Sequence, residues 1–382
     1  MSLENHTGDI QKATNICKEV LKQNTTPDGF VAGGKIFKAT NWVRDSLFAS
    51  WWVSRSENVQ EVEKNLDLYT KFQRNDGAIP NRIERSLHTG DIVNIWPLNA
   101  KYKEPLARYK SSQPWAEDTV DTSALYVIAA SEYKKTSLNG EKWWNQNNEN
   151  LNKAAFWLKN KIDKNGLVKE GLVAGWKDSH LMSGNVGYTN VLVWKAFKEL
   201  DWNDDADRLQ KSINENLWNK ENKYFNNWIS PKGILHDEFC ADVNVLGIAF
   251  GLASHEQAVD IVEFIEDNSL NEIPVKTHYP ISDFRRDAWT KTLFPRYDPS
   301  KGIFMWWGGW EAIAQKAVGE KDKAERDIRK IAEVISNNGT SPETVDFNGK
   351  LLGHQRDMTW SAGVFLYSAN ELGLLQPNNK LG

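Results

Sequence analysis

The sequence is short of cysteine, of basic charge and of long apolar runs, and each shortage excludes a class of protein. Only Cys17 and Cys240 occur among 382 residues, too few for a disulfide framework and without the spacing of a metal site. A formal net charge of -4 gives no broad attraction to nucleic acid or to an anionic membrane. The first residues lack a basic segment followed by an apolar core, and no apolar run reaches the length of a membrane span. We therefore expect a cytoplasmic globular protein that binds neither nucleic acid nor membrane.

A nucleotide site and a metal site are not expected either. Gly29–Lys35 has the glycine and lysine spacing of a phosphate-binding loop, but Ile36 replaces the Ser or Thr that would bind magnesium, and no apolar strand precedes it. The seven histidines are scattered, and none shows His-x-x-x-His spacing. The sequence thus predicts no cofactor and no metal.

Aromatic residues, in contrast, are abundant, with 18 tryptophans, 10 tyrosines and 15 phenylalanines. The flat C–H faces of sugar rings stack on aromatic rings, while sugar hydroxyls need polar partners. Core packing could use the same side chains. Composition therefore leaves two interpretations open, a carbohydrate site and an aromatic core.

Apolar periodicity predicts twelve helices that alternate in character. One helix of each pair is amphipathic and charged, and the other is apolar on nearly all sides. The predicted helices span residues 9–23, 42–55, 57–74, 116–134, 141–160, 186–200, 204–219, 240–253, 255–267, 305–318, 321–337 and 358–373. Charged helices outside and apolar helices inside predict an all-α fold, an (α/α)6 toroid of six helical hairpins formed by residues 1–382 as a single domain. Two long connections, 81–115 and 269–304, are expected to be ordered lids.

The loops that enter the apolar helices carry carboxylates and aromatic side chains, and in a barrel they converge on one end of the axis. Asp178 closely follows Trp176 and precedes an almost wholly apolar helix, and Glu343 lies near the closing end of the toroid. Glycoside hydrolysis needs two carboxyl groups, one as acid and one as nucleophile or base. Asp178 and Glu343 are therefore the candidate catalytic pair, although a lone Asp can also cap a turn.

Four segments carry motifs: NWVRDSLF, WKDS with GYTNVLVWKAF, PETVDFNGKLLGHQRDMTWS and RYDPSKGIFMWWGGW. Together they resemble the catalytic domains of glucoamylases and the amylo-α-1,6-glucosidase part of glycogen debranching enzymes. The first resemblance implies that Arg44 and Asp45 bind hydroxyls of a terminal glucose. The second and third imply Asp178 as the acid and Glu343 as the base.

The fourth segment resembles a glucoamylase run that lines the sugar pocket, which implies Arg296 as a sugar contact and Trp306 and Trp307 as walls. The resemblance spans about residues 30–373 and implies an (α/α)6 barrel that inverts configuration. One departure is Lys177, which stands where glucoamylases place the acid. The full set of candidate substrate-binding residues is Trp42, Arg44, Asp45, Trp115, Asp118, Asp121, Trp176, Lys177, His180, Arg296, Trp306, Trp307 and Trp360. For Asp121 a capping role is an alternative, and His180 could also only cap its loop.

These motifs predict an inverting, exo-acting α-glucosidase with a carbohydrate substrate. The alternatives are a glycosidase for a small anionic or disaccharide substrate such as glucosylglycerate or trehalose, a disaccharide phosphorylase, and a sugar-binding barrel that has lost catalysis. The anionic substrate is suggested by a surplus of basic over acidic side chains in the first long loop: Arg82, Arg85, Lys101, Lys103, Arg108 and Lys110 against Glu84, Asp91 and Glu104. These basic residues could equally be ordinary solubilising side chains. Nothing in the sequence indicates the linkage or the oligomeric state.

Overall fold

The computed structural model describes residues 3–33, 37, 39–86, 101–111, 113, 115–178, 180–280, 302–352 and 356–375. Within these ranges the chain forms thirteen helices: α1 (Leu3–Gln23), α2 (Val43–Val53), α3 (Gln60–Lys71), α4 (Asp121–Thr136), α5 (Gly140–Gln146), α6 (Asn148–Lys159), α7 (Gly187–Glu199), α8 (Asn203–Asn216), α9 (Ala241–Ala249), α10 (His255–Asp267), α11 (Met305–Ala317), α12 (Lys321–Asn338) and α13 (Thr359–Glu371). Each of the twelve predicted helices is found, and the one predicted at 141–160 is divided between α5 and α6. None of the described helices is long and apolar enough to cross a membrane.

Six of the helices form a closed inner ring. Contacts run in order through α2, α4, α7, α9, α11 and α13, and α13 returns to pack on α2. All eleven residues of α2 are buried, whereas the outer helix α8 buries only Ala206, Leu209 and Ile213, which lie on one face. A helix that is apolar on all sides is surrounded by others, and an amphipathic one covers them. The ring of helical hairpins expected from the sequence is therefore present.

Close backbone contact joins the two ends of the ring. Gly363 on α13 faces Ala49 on α2, and a Cβ atom at Gly363 would lie 2.4 Å from the Cα atom of Ala49. Glycine is required here because a side chain would push the two helices apart. Thr359 also donates its backbone N–H to the Ala32 carbonyl at 2.9 Å, so that the start of α13 is tied to the segment before α2.

The strict all-α class is not confirmed, because short antiparallel sheets lie between the helices. The strands are β1 (Thr25–Thr26), β2 (Gly29–Phe30), β3 (Thr40–Trp42), β4 (Arg82–Ser86), β5 (Lys101–Arg108), β6 (Asn185–Val186), β7 (Trp218–Asn219), β8 (Tyr224–Ile229), β9 (Leu235–Cys240), β10 (His278–Tyr279), β11 (Ile303–Phe304) and β12 (Thr344–Val345). One sheet has the order β3-β4-β5, and another has the order β10-β9-β8-β6 with β7 beside β8.

These strands lead into the inner helices. Strands β3, β6, β9 and β11 run directly into α2, α7, α9 and α11, and the residue that caps each of these helices has an extended backbone. Strand pairing thus fixes the entry loops at one end of the ring, which we call the mouth. Of the two expected lids, the first contributes β4 and β5, and residues 87–100 of it lie outside the described part. Most of the second, residues 281–301, also lies outside.

Candidate active site at the mouth of the ring

Three carboxylates approach one another at the mouth. Asp45 is the third residue of α2, Asp178 lies in the loop before α7, and Glu343 directly precedes β12. The Glu343 carbonyl accepts the Met305 amide at 3.1 Å, which joins its loop to the start of α11. The charges of Asp45 and Asp178 both act on the Glu343 carboxyl group, so the two catalytic candidates from the sequence lie at one site, with Asp45 beside them.

Glu343 is buried, with 7% of its surface exposed. Burial raises the pKa of its carboxyl group well above the ordinary value, and the nearby carboxylates of Asp45 and Asp178 raise it further. A carboxyl group that is kept from water and faces other negative charges retains its proton to higher pH. Asp178 is half-buried.

Asp45 is buried, and its Oδ1 atom accepts no hydrogen bond from the described residues. Burial raises the pKa of Asp45 to about 7, although Arg44 lowers it; Asp178 raises it again. An unpartnered acceptor inside a protein costs about 1–3 kcal/mol. Asp45 is thus held in an environment that does not stabilise its charge within the protein.

Arg44, by contrast, has its donors committed to the protein. Its Nε and Nη2 atoms donate to the two oxygens of Asp121 at 2.6 and 2.9 Å, and Nη1 donates to Asn81 at 2.9 Å. Both members of the ion pair are buried. The capping alternative for Asp121 was wrong, since Val120 occupies the cap of α4 and no side chain bonds there. This pair connects the start of α2 to the start of α4, whereas the sequence placed both residues on the sugar.

Trp176 and Lys177 also bind within the protein. Trp176 donates its indole N–H to Oδ2 of Asp242 at 2.7 Å, and the Lys177 ammonium lies 2.8 Å from the same oxygen. Lys177 further donates to Asn227 at 3.1 Å and to the Cys240 sulfur at 3.0 Å. Burial lowers the pKa of Lys177, but Asp242 more than offsets this and the pKa is raised. Because all three N–H groups of the ammonium are used, the structure does not place Lys177 where it could bind a substrate.

The predicted aromatic walls form a stack inside the ring. The rings of Trp306 and Trp307 lie 3.8 Å apart, and Trp306 stacks on Trp360 at 4.4 Å with an interplanar angle of 18°. Trp306 and Trp307 are wholly buried, and Trp176 meets both edge-on. Trp306 also meets Phe48 on α2, and Trp307 meets Tyr188 on α7, so the stack lies among side chains from different inner helices.

Trp42 and His180 flank this site. The guanidinium of Arg82 lies over the Trp42 ring at 4.9 Å, and Phe37 meets the same ring edge-on. His180 is buried, with its ring 6.1 Å from that of His278. Trp42 thus caps one side of the mouth, and His180 lies on the loop that carries Asp178.

Three predicted contacts remain, and the structure pairs one of them with a residue outside this group. Asp118 forms an ion pair with Arg74 at 2.7 Å, on the side of the loop that faces the outer helices. Trp115 is 43% exposed. Arg296 lies outside the described residues.

Two residues beside the site, Gln113 and Glu170, were not identified from the sequence. Gln113 donates its side-chain amide to the Asp178 carbonyl at 2.7 Å. Glu170 is buried beside the loop that carries Asp178, and its side chain accepts a hydrogen bond from the Thr189 hydroxyl at 2.5 Å. Its pKa is raised to about 8, chiefly by burial. A charged residue followed by glycine just before the loop was the only signal for Glu170. The partners of Gln113 depend on the tertiary fold.

Buried polar atoms without a protein partner gather at the mouth. In the described part of the chain, those in entry loops or in the first turns of inner helices include Trp42 Nε1, Asp45 Oδ1, Ser111 Oγ, Gln113 Oε1, Trp306 Nε1, Trp307 Nε1, Trp360 Nε1 and Ser361 Oγ. Both donors and acceptors are present, so a ligand with many hydroxyl groups would satisfy them. Among the described residues, no group of three or more His, Cys, Asp or Glu is arranged to bind a metal ion.

Comparison with known proteins finds similarity to solved structures but no match in sequence. No family model and no curated protein matches the chain. A GH63 mannosylglycerate hydrolase from Thermus thermophilus, solved with glucose, has a TM-score of 0.71 at 14% identity over 93% of this chain and 99% of its own. A wild-type glycosidase gives 0.69 at 14% over 98% and 100%. A GH78 rhamnosidase of Bacillus sp. GL1 gives 0.67 at 16%, over 95% of this chain and 35% of its own. At such identities the likeness establishes the fold: the chain shares the helical barrel of these glycoside hydrolases.

Proposed function

We propose that this protein is an exo-acting glycoside hydrolase that releases a terminal glucosyl residue from an α-glycoside with inversion, with Asp178 as the acid and Glu343 as the base. The observation that carries the proposal is the meeting of Asp178, Glu343 and Asp45 among buried polar atoms that have no protein partner. A cluster of like charges is costly for a fold and is typical of a catalytic site. A sugar ring would supply the missing hydrogen bonds.

The proposed reaction divides the work between the two sides of the sugar. Asp178 donates its proton to the glycosidic oxygen as the C–O bond breaks, and the ionised form of Glu343 accepts a proton from the water that attacks the anomeric carbon from the opposite face. Because the pKa of Glu343 is raised, its ionised form is favoured only at higher pH, so activity should rise with pH as Glu343 loses its proton. Inversion requires room for that water, with roughly 6.5–9.5 Å between the two carboxyl groups. A crystal structure with a bound sugar would measure this separation, and a value near 5 Å would indicate retention instead.

The Trp stack supports attack on a chain end. Because Trp306 and Trp307 are wholly buried and stacked on one another inside the ring, we take them as the closed end of a pocket that is not an open cleft. A closed pocket admits the terminal unit of a glycan but not its middle. Asp45, with its unpartnered oxygen, is the acceptor expected to bind a hydroxyl of that terminal unit.

A glycoside of a small anion, such as glycerate, is the second candidate. The observation in its favour is that one barrel of this fold is a mannosylglycerate hydrolase, also solved with Tris and D-glycerate. The charges first cited for it support it less. Arg82 and Arg108 share Glu84, at 2.7 and 3.1 Å, and Arg85 contacts Asp28. Because each of these arginines already contacts a carboxylate of the protein, we rank a neutral leaving group first.

The proposal is tested by product analysis on a substrate panel. The protein is incubated in phosphate-free buffer with maltose, isomaltose, trehalose, malto-oligosaccharides and glucosylglycerate, and NMR follows the anomer that is released. We expect β-glucose first. Release of α-glucose would contradict inversion, release only after phosphate is added would indicate a phosphorylase, and no release would leave a sugar-binding barrel.

Variants separate the two catalytic roles. Asp178→Asn should lose activity on glucosides with poor leaving groups but retain it on α-glucosyl fluoride, because fluoride departs without protonation. Glu343→Gln should lose both activities. Equal losses in the Asp178 variant would mean that another residue is the acid.

A comparison of kcat/KM for maltose and glucosylglycerate at low and high salt decides between the two leaving groups, since salt screens only the charged one.

A further inference from the structure

A buried group of side chains holds the loop that carries Asp178. We call it the Asp242 clamp, and it consists of Trp176, Lys177, Asn227, Cys240 and Asp242. Trp176 and Lys177, the two residues before Asp178, both contact the Oδ2 atom of Asp242, at 2.7 and 2.8 Å. The loop is thus fixed at the position next to the proposed acid.

The clamp is anchored on a rigid element. Asp242 is the second residue of α9, is wholly buried, and its other oxygen accepts the Val243 amide at 2.6 Å. A carboxylate in the first turn of a helix is favoured by the helix dipole. Neither oxygen of Asp242 is therefore left to bind a substrate, and the carboxylate cannot move without the inner ring.

The clamp extends from α9 into the neighbouring sheet. Asn227 on β8 accepts from Lys177 and donates its amide to Glu238 on β9 at 3.0 Å. On the other side of the loop, Gln113 donates to the Asp178 carbonyl, and Trp176 packs edge-on against the Trp stack. The loop is therefore held from several directions, and the half-buried carboxyl group of Asp178 projects from a fixed base.

We infer that Asp242 is a positioning residue that sets the location of the proposed acid through Trp176 and Lys177. This inference rests on the proposed function for the role of Asp178. Proton transfer requires the acid within hydrogen-bond reach of the departing oxygen, and a displacement of about 1 Å costs on the order of 10²-fold in rate. Removing the charge of Asp242 leaves the Lys177 ammonium buried without its counter-ion, so the loop has to rearrange.

The test compares Asp242→Asn with Asp327→Asn, a matched change at another buried carboxylate far along the chain, on α12. Each variant is assayed on a disaccharide and on α-glucosyl fluoride, with Asp178→Asn as the reference for loss of the acid. We expect Asp242→Asn to lose about 10–100-fold in kcat on the disaccharide with little change in KM, and to retain fluoride hydrolysis. Asp327→Asn should affect the two substrates alike.

Hydrogen exchange of residues 173–178 supplies a readout that does not depend on activity. We expect exchange in this segment to accelerate in Asp242→Asn and to stay unchanged in Asp327→Asn. Unchanged exchange in Asp242→Asn, or equal loss of both substrates by that variant, would overturn the inference. If Asp178→Asn shows no preference for the fluoride, the proposed acid is wrong, while the exchange measurement still decides whether Asp242 holds the loop.

Discussion

Two regions of this molecule bury neighbouring carboxyl groups, and they treat them differently. At the contact of α11 with α12, Glu311 and Asp327 are almost completely buried. Glu311 accepts the Val275 amide at 3.1 Å, while Asp327 accepts from Gln315 at 2.8 Å and pairs with Lys330 at 3.2 Å. At this contact the acids are surrounded by donors, which is how a fold normally accommodates buried charge.

The mouth lacks that compensation. Asp45 keeps an oxygen that has no partner among the described residues, and the surroundings of Glu343 raise its pKa through burial and two further carboxylates. Neither burial nor a raised pKa alone marks a catalytic acid, because burial and the neighbouring Asp327 also raise the pKa of Glu311 well above its ordinary value. What distinguishes the mouth is the buried Oδ1 atom of Asp45, which accepts no hydrogen bond from the described residues, in the same region as indole N–H groups that also lack a described partner. Matched substitutions test this distinction, beginning with the largest expected effect.

The largest effect is expected when the two regions receive matched substitutions. Glu343→Gln should reduce kcat by about 10²–10⁴-fold, the usual worth of a general base, and should raise the free energy of unfolding at pH values above the raised pKa of Glu343, where a buried charge is removed. Asp327→Asn should lower the free energy of unfolding by about 1.5–3 kcal/mol and leave kcat nearly unchanged. Steady-state kinetics and chemical denaturation of both variants measure this. A stability loss in Glu343→Gln like that of Asp327→Asn would remove the distinction between the regions.

The ion pair of Arg44 with Asp121 should behave as part of the framework even though it lies at the mouth. Arg44→Ala leaves the Asp121 carboxylate buried and unpaired, and breaking such a pair costs about 3–5 kcal/mol. Urea denaturation measures the loss. The double variant Arg44→Met with Asp121→Leu should recover much of it, because both charges are then gone. If Arg44→Ala is as stable as the parent and instead weakens every substrate equally, its principal partner is the sugar.

The pH dependence of stability should carry the signature of Asp45. Its pKa is about 7 in the folded protein against an ordinary value of 3.8, so the folded state binds the extra proton between these values. Stability should therefore fall as pH rises from about 4 to 7, by at most about 1.4 kcal/mol per pH unit for one group. Thermal or urea unfolding across this range should show a shallower fall in Asp45→Asn. An identical pH profile in the variant would show that Asp45 is ionised in the folded protein at low pH.

The smallest effect is expected at Asp118, which the sequence assigned to the substrate and the structure pairs with Arg74. Both side chains are partly exposed, at 23% and 35%. Loss of such a pair costs about 0.2–1 kcal/mol, and Asp118→Asn should leave kcat/KM within about two-fold of the parent by the same reasoning. A ten-fold loss of kcat/KM without loss of stability would restore Asp118 to the substrate-binding group.

The sequence predicted the helices well because their signal is local. Apolar residues on all sides of α2 and one apolar stripe on α8 can be read from the chain, and they indicate which helix is inside. The hairpin of β8 and β9 was missed, although Pro231 and Gly233 mark its turn, because its strands are short and only two of the six residues of β9 are buried. Two strands of six residues give a weak periodic signal beside helices twice as long.

The site was predicted in part for the same reason. Asp178, Glu343 and Asp45 could be found because they lie in recognisable motifs. The role of Lys177 could not, since its three acceptors lie 50 to 65 positions further along the chain and meet it only when β8 and α9 are in place. From the sequence, a lysine beside a candidate acid is interpreted as a substrate contact. In the folded protein, Lys177 instead binds groups of the protein itself.

The closed ring also has a consequence for how the chain folds. Helix α2 is synthesised early, yet the face that receives Gly363 is covered only when α13 arrives, more than 300 residues later. Asn24 likewise donates to the Asp357 carbonyl across 333 positions. Contacts between such distant segments form slowly, because a long loop must close before they are gained. During synthesis one apolar face of α2 therefore stays exposed until α13 has been made. Before the ring closes, the chain depends most on protection from aggregation.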